Sequence, residues 1–425
     1  MLASAFAVSA LIACSSGSTP PPPDTCSNIP ASALYTPTSA YLPDPHYCLY
    51  QFAGDLPRAR QLAIAPNNDI FVSAGGAVMV VFDDNGDRVS DAGERTMFAT
   101  APGLNHGLAL SATHLYASSI STVYRWPYAA GDRVATGPME TVVDGIEAGG
   151  HATRTLLIDA ENRLYVSIGS ASNVDLPAGP IQPPATRAQI RRYDLRSIPA
   201  GGYLASAGEL FAAGLRNEVG LSIDSKGRMW GVENGRDNLI LASGDDIHYD
   251  NPAEEVNLFD TNRPGRNYGY PFCWSEGIWM DAMAKGPGTQ HLDPDQPGAF
   301  TEAQCQDANL VVPPAFALGA HLAPLDIVEY RGNGYPPEMA GDLFVTAHGS
   351  WNREIAQVGR TIIRLKMGAN GPTEAQTFVA KSDMAGGYVE ADWGIRPASI
   401  RVDRAGLLTW SGDDWNTIYK IGYKP

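Results

Sequence analysis

The chain has 425 residues and a net charge of −16, with only 18% charged residues, so it offers no basic face for nucleic acid. Its 44 glycines and 32 prolines favour many short strands joined by turns over long helices. One large all-β domain is compatible with this length, and the charge suits a protein outside the cytoplasm that acts on neutral small molecules.

The N-terminus reads MLASAFAVSALIACSS. The run ending Leu11-Ile12-Ala13-Cys14 resembles the lipobox of bacterial lipoproteins, in which Cys14 becomes the lipidated first residue; the alternative is a plain secretory signal. We expect a signal peptide over 1–13, a Pro/Ser-rich tether over 14–25 and one domain over 26–425. The expected home is the periplasm or outer membrane, with membrane contact only through the lipid. No other run is long and apolar enough to span a bilayer. Four further cysteines, Cys26, Cys48, Cys273 and Cys305, suggest two disulfides in an exported chain. Three connectivities are possible, and the expected one joins sequence neighbours, Cys26–Cys48 and Cys273–Cys305.

A repeated pattern follows, made of a polar turn, an apolar strand and then Ser, Gly or a polar cluster. Its copies are PNNDIFVSAGG from Pro66, SATHLYASSIS from Ser111, DAENRLYVSIG from Asp159, DSKGRMWGVENG from Asp224, AGDLFVTAHGS from Ala340 and DRAGLLTWSGDD from Asp403. Asn, Asp and Gly suit tight hairpin turns, and β-branched and aromatic residues suit the strand that follows. The copies recur at roughly 45 to 65 residues, with one gap of about twice that, as propeller blades do. Six copies predict an all-β, six-bladed β-propeller. The long gap between Met229 and Leu343 predicts extra loops around Cys273 and Cys305.

Propeller sites form where loops at one rim surround the axis, so polar residues at the ends of these strands become candidates together. Arg58, Arg60 and Gln61 precede the first repeat strand. His151, after two glycines, precedes the third and has a base's chemistry; Arg154 beside it reads as a surface charge or a rim donor. Arg216 and Asn217 precede the fourth, where guanidinium offers a planar donor fork. Glu233-Asn234-Gly235-Arg236 follows that strand, and a glycine turn there can aim carbonyls at a hard cation. HGSWNR, with Trp351 and Asn352, ends the fifth strand; WGIR, Trp393 to Arg396, precedes the sixth. Trp suits stacking on sugars or flat cofactors. Each of these residues also has an ordinary structural reading, as a turn, an ion pair or core packing. A positive, aromatic funnel in so acidic a chain points to an anionic ligand. No GxSxG, GxGxxG or P-loop is present, so redox chemistry would come from a bound cofactor.

Taken together, GLRNEVGL…GVENGRDN, RPGRNYGYPFCW, PLDIVEY…GDLFVTAHGSWNR and the histidine after two glycines resemble the sugar dehydrogenases that use pyrroloquinoline quinone (PQQ), from about Leu56 to the C-terminus. NHGLAL, Asn105 to Leu110, makes the chain more similar to the sorbosone and pyranose enzymes than to the glucose enzymes. The resemblance implies that His151 is the general base for the sugar's C1 hydroxyl during hydride transfer to C5 of the quinone. It implies that Arg216 polarises the C5 carbonyl. Cofactor binding falls to Arg60, Arg216, Asn217, Trp351, Asn352 and Arg396, and Ca²⁺ binding to the carbonyls of Gly235 and Arg236. Electrons would pass to an external acceptor. The chain departs from the glucose enzymes in having Gly150 where they carry an acid beside the histidine, Arg236 where they carry proline, and a residue of HGSWNR in place of their cofactor-binding lysine on the fifth blade. The alternatives are a non-catalytic propeller that binds a sugar or a partner, and a calcium-dependent lactonase-type propeller, which would need several carboxylates converging on the metal.

Overall fold

A computed structural model describes residues 21–35, 40–176, 186–296, 298, 300–353, 357–381 and 394–425. Cys14 and Trp393 lie outside them. Six sheets, each with four antiparallel strands, follow one another along the chain as six blades; the second and third add a short parallel fifth strand, Tyr203–Leu204 and Arg266–Asn267. Each predicted repeat strand is the second strand of its blade: Ile70–Ala74, His114–Ser119, Arg163–Ile168, Met229–Glu233, Leu343–Ala347 and Leu408–Gly412. In four of them every residue is buried. Both faces of such a strand pack against neighbouring blades, so the pattern runs continuously apolar instead of alternating.

The first strands, Leu62–Ile64, Leu104–Leu110, Leu156–Ile158, Glu218–Ile223, Pro324–Glu329 and Pro397–Val402, touch in sequence and form the ring around the axis. The ring closes through chain ends far apart in sequence. Tyr47–Ala53 pairs antiparallel with Thr417–Tyr423 and supplies the outer strand of the sixth blade. Six large apolar clusters fill the six interfaces between blades. One sets Trp230, Val232 and Val256 of blade 4 against Leu343, Val345 and Ile363 of blade 5.

The long gap lies between the third and fourth strands of blade 4, Glu254–Phe259 and Phe316–Leu318. It holds a hairpin of Cys273–Ser275 with Gln290–Leu292 and one four-residue helix, Glu302–Cys305. Cys273 is bonded to Cys305 across this excursion, and Cys26 to Cys48 on the closing strand.

Candidate active site

The hairpin turns of the repeats face one end of the propeller, and the other strand ends meet at the opposite rim. There a cavity of about 380 Å³ opens on the axis, within the usual range of small-molecule sites. Arg60, His151, Arg216, Asn217, Gly235, Trp351 and Arg396 all line it. A larger depression of about 730 Å³ lies among the turns at the other end. Among its charged residues, Glu329 pairs with Arg331, Arg401 with Asp326 and Asp403 with Lys420.

His151 is turned by Ser170. Its Nδ1 lies 3.0 Å from the Ser170 carbonyl oxygen and 2.9 Å from Ser170 Oγ. Gly169 makes this approach feasible, since a Cβ there would fall 2.6 Å from His151 Cβ and 2.7 Å from Asn217 Oδ1. Burial, and then the positive charge of Arg216, push the imidazole down to about 4, so the ring is neutral at ordinary pH. Arg154 is neither a surface charge nor a rim donor. Its guanidinium is buried, and it donates to four backbone carbonyls, those of Ile120, Glu147, His151 and Thr153. It ties the loop that carries His151 to blade 2.

Arg216 spreads its fork over blade 4. Nη1 donates to Asn234 O at 3.2 Å and Gly235 O at 2.7 Å, while Nη2 pairs with Asp237 at 2.8 Å and Asn173 Oδ1 at 3.1 Å. Its ion-pair partner is therefore Asp237. Its backbone N–H donates to Glu233 Oε1. Glu233 belongs to a buried group with Glu218 and Glu255, one from each of three successive strands. Asn257 Nδ2 donates among them at 3.0, 3.3 and 3.5 Å. Burial raises all three carboxyls. Glu254 lines the cavity and accepts from Gly235 N and Ala323 N; burial pushes it up to about 8.

Across the axis, Asp413 clamps two cavity residues at once. Its Oδ2 accepts from Arg60 Nη1 at 2.6 Å, and its Oδ1 lies 2.9 Å from His348 Nε2. Burial would raise this carboxyl, but the bond to His348 and the charges of His348 and Arg60 outweigh it, so Asp413 stays well below the usual carboxylate range. Arg60 Nε donates to His106 Nδ1, and His106 reaches Thr155 Oγ1. Arg396 is fastened to the carbonyls of His348 and Gly349.

Three candidate side chains do not line the cavity. Asn352 does not line the cavity: its backbone N–H bonds Ser350 Oγ, and its Nδ2 is buried without a partner among the described residues. The Arg236 side chain leaves the axis because Asp293 and Asp295 capture it at 2.7 Å each; only its backbone stays beside Gly235. Arg58 is exposed, with its backbone N–H on Asn416, so Arg60 alone of that pair reaches the axis. Trp351 lines the mouth with its side chain 75% exposed, which places the indole in reach of an incoming ligand rather than around a buried one.

Sequence reasoning missed Ser170, His348, Asp413, Asp237 and Glu254. A signal for the first three was present. Ser170, His348 and Asp413 directly follow repeat strands, at or next to the position that Asn234 holds in blade 4.

Fold and cavity together define a six-bladed propeller with an arginine-lined axial cavity. The comparisons narrow this class. The chain belongs to the TrAA12-like family, whose model matches residues 43–424. It is 32% identical over 390 residues to a pyrroloquinoline quinone-dependent sugar dehydrogenase of Hypocrea jecorina (strain QM6a), covering 84% of this chain and 85% of that protein. The holo form of the pyranose dehydrogenase PQQ domain from Coprinopsis cinerea superposes with a TM-score of 0.79 at 26% identity, over 91% of this chain and 97% of that one. The calcium structure of Trichoderma reesei Carbohydrate-Active Enzymes Family AA12 gives 0.79 at 27% identity, over 94% and 100%.

Proposed function

We propose that this protein is a PQQ- and calcium-dependent sugar dehydrogenase that oxidises a pyranose or other aldose at C1. The observation that carries the reading is the donor set of the axial cavity. Three guanidiniums, from Arg60, Arg216 and Arg396, converge on about 380 Å³ together with a neutral histidine. PQQ is a flat tricarboxylate, and planar forks suit carboxylates, so the residues present fit it. When bound, the quinone supplies the acceptor for the hydride equivalent leaving the sugar carbon.

The chain's own residues do the rest. His151 Nε2 takes the proton of the C1 hydroxyl, acting as a base whose lone pair is free throughout the neutral range. Arg216 offers its fork to the charge that develops on the acceptor oxygen. Arg60, Arg396 and Asn217 hold carboxylates and ring atoms in place. Trp351 at the mouth gives the sugar ring an apolar face. Ca²⁺ would sit on the carbonyls of Gly235 and Arg236. The oxygens of Asn234, Gly235 and Asp237, which Arg216 now bonds, are the donor chemistry a hard cation prefers. Electrons pass to an external acceptor, and we further propose export with a lipid anchor on Cys14.

The test is reconstitution of the purified protein with PQQ and Ca²⁺, followed by a sugar panel with a dye acceptor. Dye reduction that needs both additions and is lost in His151→Ala is the expected result. Failure to bind PQQ at all would overturn the reading in favour of a binding propeller.

A further inference from the structure

The hydrogen bonds around His151 settle which ring nitrogen carries its proton. Nδ1 faces two oxygens of one residue. The Ser170 carbonyl can only accept. Ser170 Oγ has its own hydrogen committed, since it donates to Ser172 O at 2.7 Å, so toward His151 it also accepts. Both contacts therefore require Nδ1–H, and the lone pair is left on Nε2. Ser170 is fully buried, so water does not compete for either bond. Behind the ring, Arg154 donates to the carbonyls of His151 and Thr153 and fixes the backbone on either side of Ala152.

We propose that Ser170 is the positioning residue of His151: an uncharged clamp that holds the imidazole in the Nδ1–H tautomer and leaves Nε2 as the nitrogen available to the cavity. This rests on the reading of His151 as the base. A carboxylate partner would stabilise imidazolium and raise the basicity of the ring; a carbonyl and a hydroxyl fix direction while adding no negative charge. The charged groups that act on the ring are Arg216, Arg154, Asp237 and Asp175. Asp237 is paired with Arg216 and Asp175 with Arg187, so neither stands free to replace Ser170.

The decisive measurement is ¹⁵N-histidine NMR of the protein without added cofactor, titrated with pH, for wild type, Ser170→Ala and Ser170→Asp. Wild type should show Nδ1 protonated and Nε2 bare, with protonation well below pH 6. Ser170→Asp should move that midpoint up by about one pH unit or more, and the acid limb of kcat/KM should follow in the reconstituted enzyme. Ser170→Ala deletes only a hydroxyl and is the safer variant for folding. It should lower kcat about fivefold, the effect of one lost hydrogen bond, at unchanged KM. A wild-type ring protonated on Nε2 overturns the proposal, as does a midpoint that stays put in Ser170→Asp together with unchanged kcat in Ser170→Ala. If no sugar is oxidised, the NMR arms still decide the clamp, so its failure and that of the dehydrogenase reading remain separable.

Discussion

Arg154→Met tests the idea that a buried guanidinium holds the His151 loop. Wild-type Arg154 makes four hydrogen bonds, at 2.7 to 3.0 Å, all to neutral carbonyls. Charged hydrogen bonds contribute about 1.5 kcal/mol each at the low end, or about 6 kcal/mol for the set. Against this, burial alone pushes the group down to about 10, and that depression corresponds to roughly 3 kcal/mol of lost solvation. Methionine fills similar space but leaves the carbonyls unpaired, so the net loss is about 3 kcal/mol. Unfolding a chain of this size carries an entropy of about 0.9 kcal/mol/K near the midpoint, so Tm should fall by about 3 to 4 °C. Arg154→Lys keeps the charge without the fork and should fall between the two. The assays are calorimetry with disulfides intact, and amide exchange over residues 147–153. A Tm within 1 °C of wild type together with unchanged exchange in that loop would refute the reasoning.

Three further predictions concern the cavity. Arg216→Ala should lower kcat of the reconstituted enzyme by about 10²- to 10³-fold, with Arg216→Lys recovering little because it lacks the fork; steady-state kinetics on a saturating sugar decide this. Trp351→Ala should raise KM for the sugar several-fold with Tm unchanged, because an indole 75% exposed adds little to the core; equal loss in kcat would place Trp351 elsewhere in the mechanism. Glu254 makes the cofactor-free protein pH-sensitive. Its folded value, about 8, lies above the ordinary 4.5, so its contribution is fully present below about pH 4.5 and is lost as pH rises through 8. The swing is about 5 kcal/mol, most of it between pH 5 and 8. A Tm that falls over this range in wild type and falls less in Glu254→Gln is the expected outcome; identical slopes would show that the carboxyl is solvated.

The propeller was legible because its repeat reflects a local rule. A tight turn needs Asn, Asp or Gly, and the strand after it is buried on both faces, so each blade writes the same short signature. Blade closure was not legible, since the pairing of Tyr47–Ala53 with Thr417–Tyr423 depends on a contact between chain ends. At the site, Arg60, His151, Arg216 and Arg396 stand beside strand ends and could be found by position. Asn352 could not be sorted from Trp351 in the same motif, because a backbone bond to Ser350 and the direction of one turn decide which side chain reaches the axis. The direction of the Arg236 side chain could not be read for a related reason. Its partners Asp293 and Asp295 come from the long excursion in blade 4, whose sequence carries no repeat.

The buried carboxyls of blade 4 bear on the charge beside Arg216. Glu218, Glu233 and Glu255 lie on neighbouring strands, and Glu233 supports the Arg216 backbone. Ionised, they would set negative charges against the guanidinium that the proposed chemistry needs free to act. Burial raises all three instead, which disfavours their charged forms beside Arg216. Gly231 makes room for the group, since a Cβ there would fall 1.9 Å from Glu218 Oε1. Each guanidinium at the axis meets a carboxylate: Asp413 bonds Arg60 and His348, Asp237 pairs with Arg216, and the half-exposed Asp414 lies 3.9 Å from Arg396. Each fixes the direction of a cation, and the contact on Arg396 is the longest of the three, which leaves that fork the most open to a carboxylate of a bound ligand.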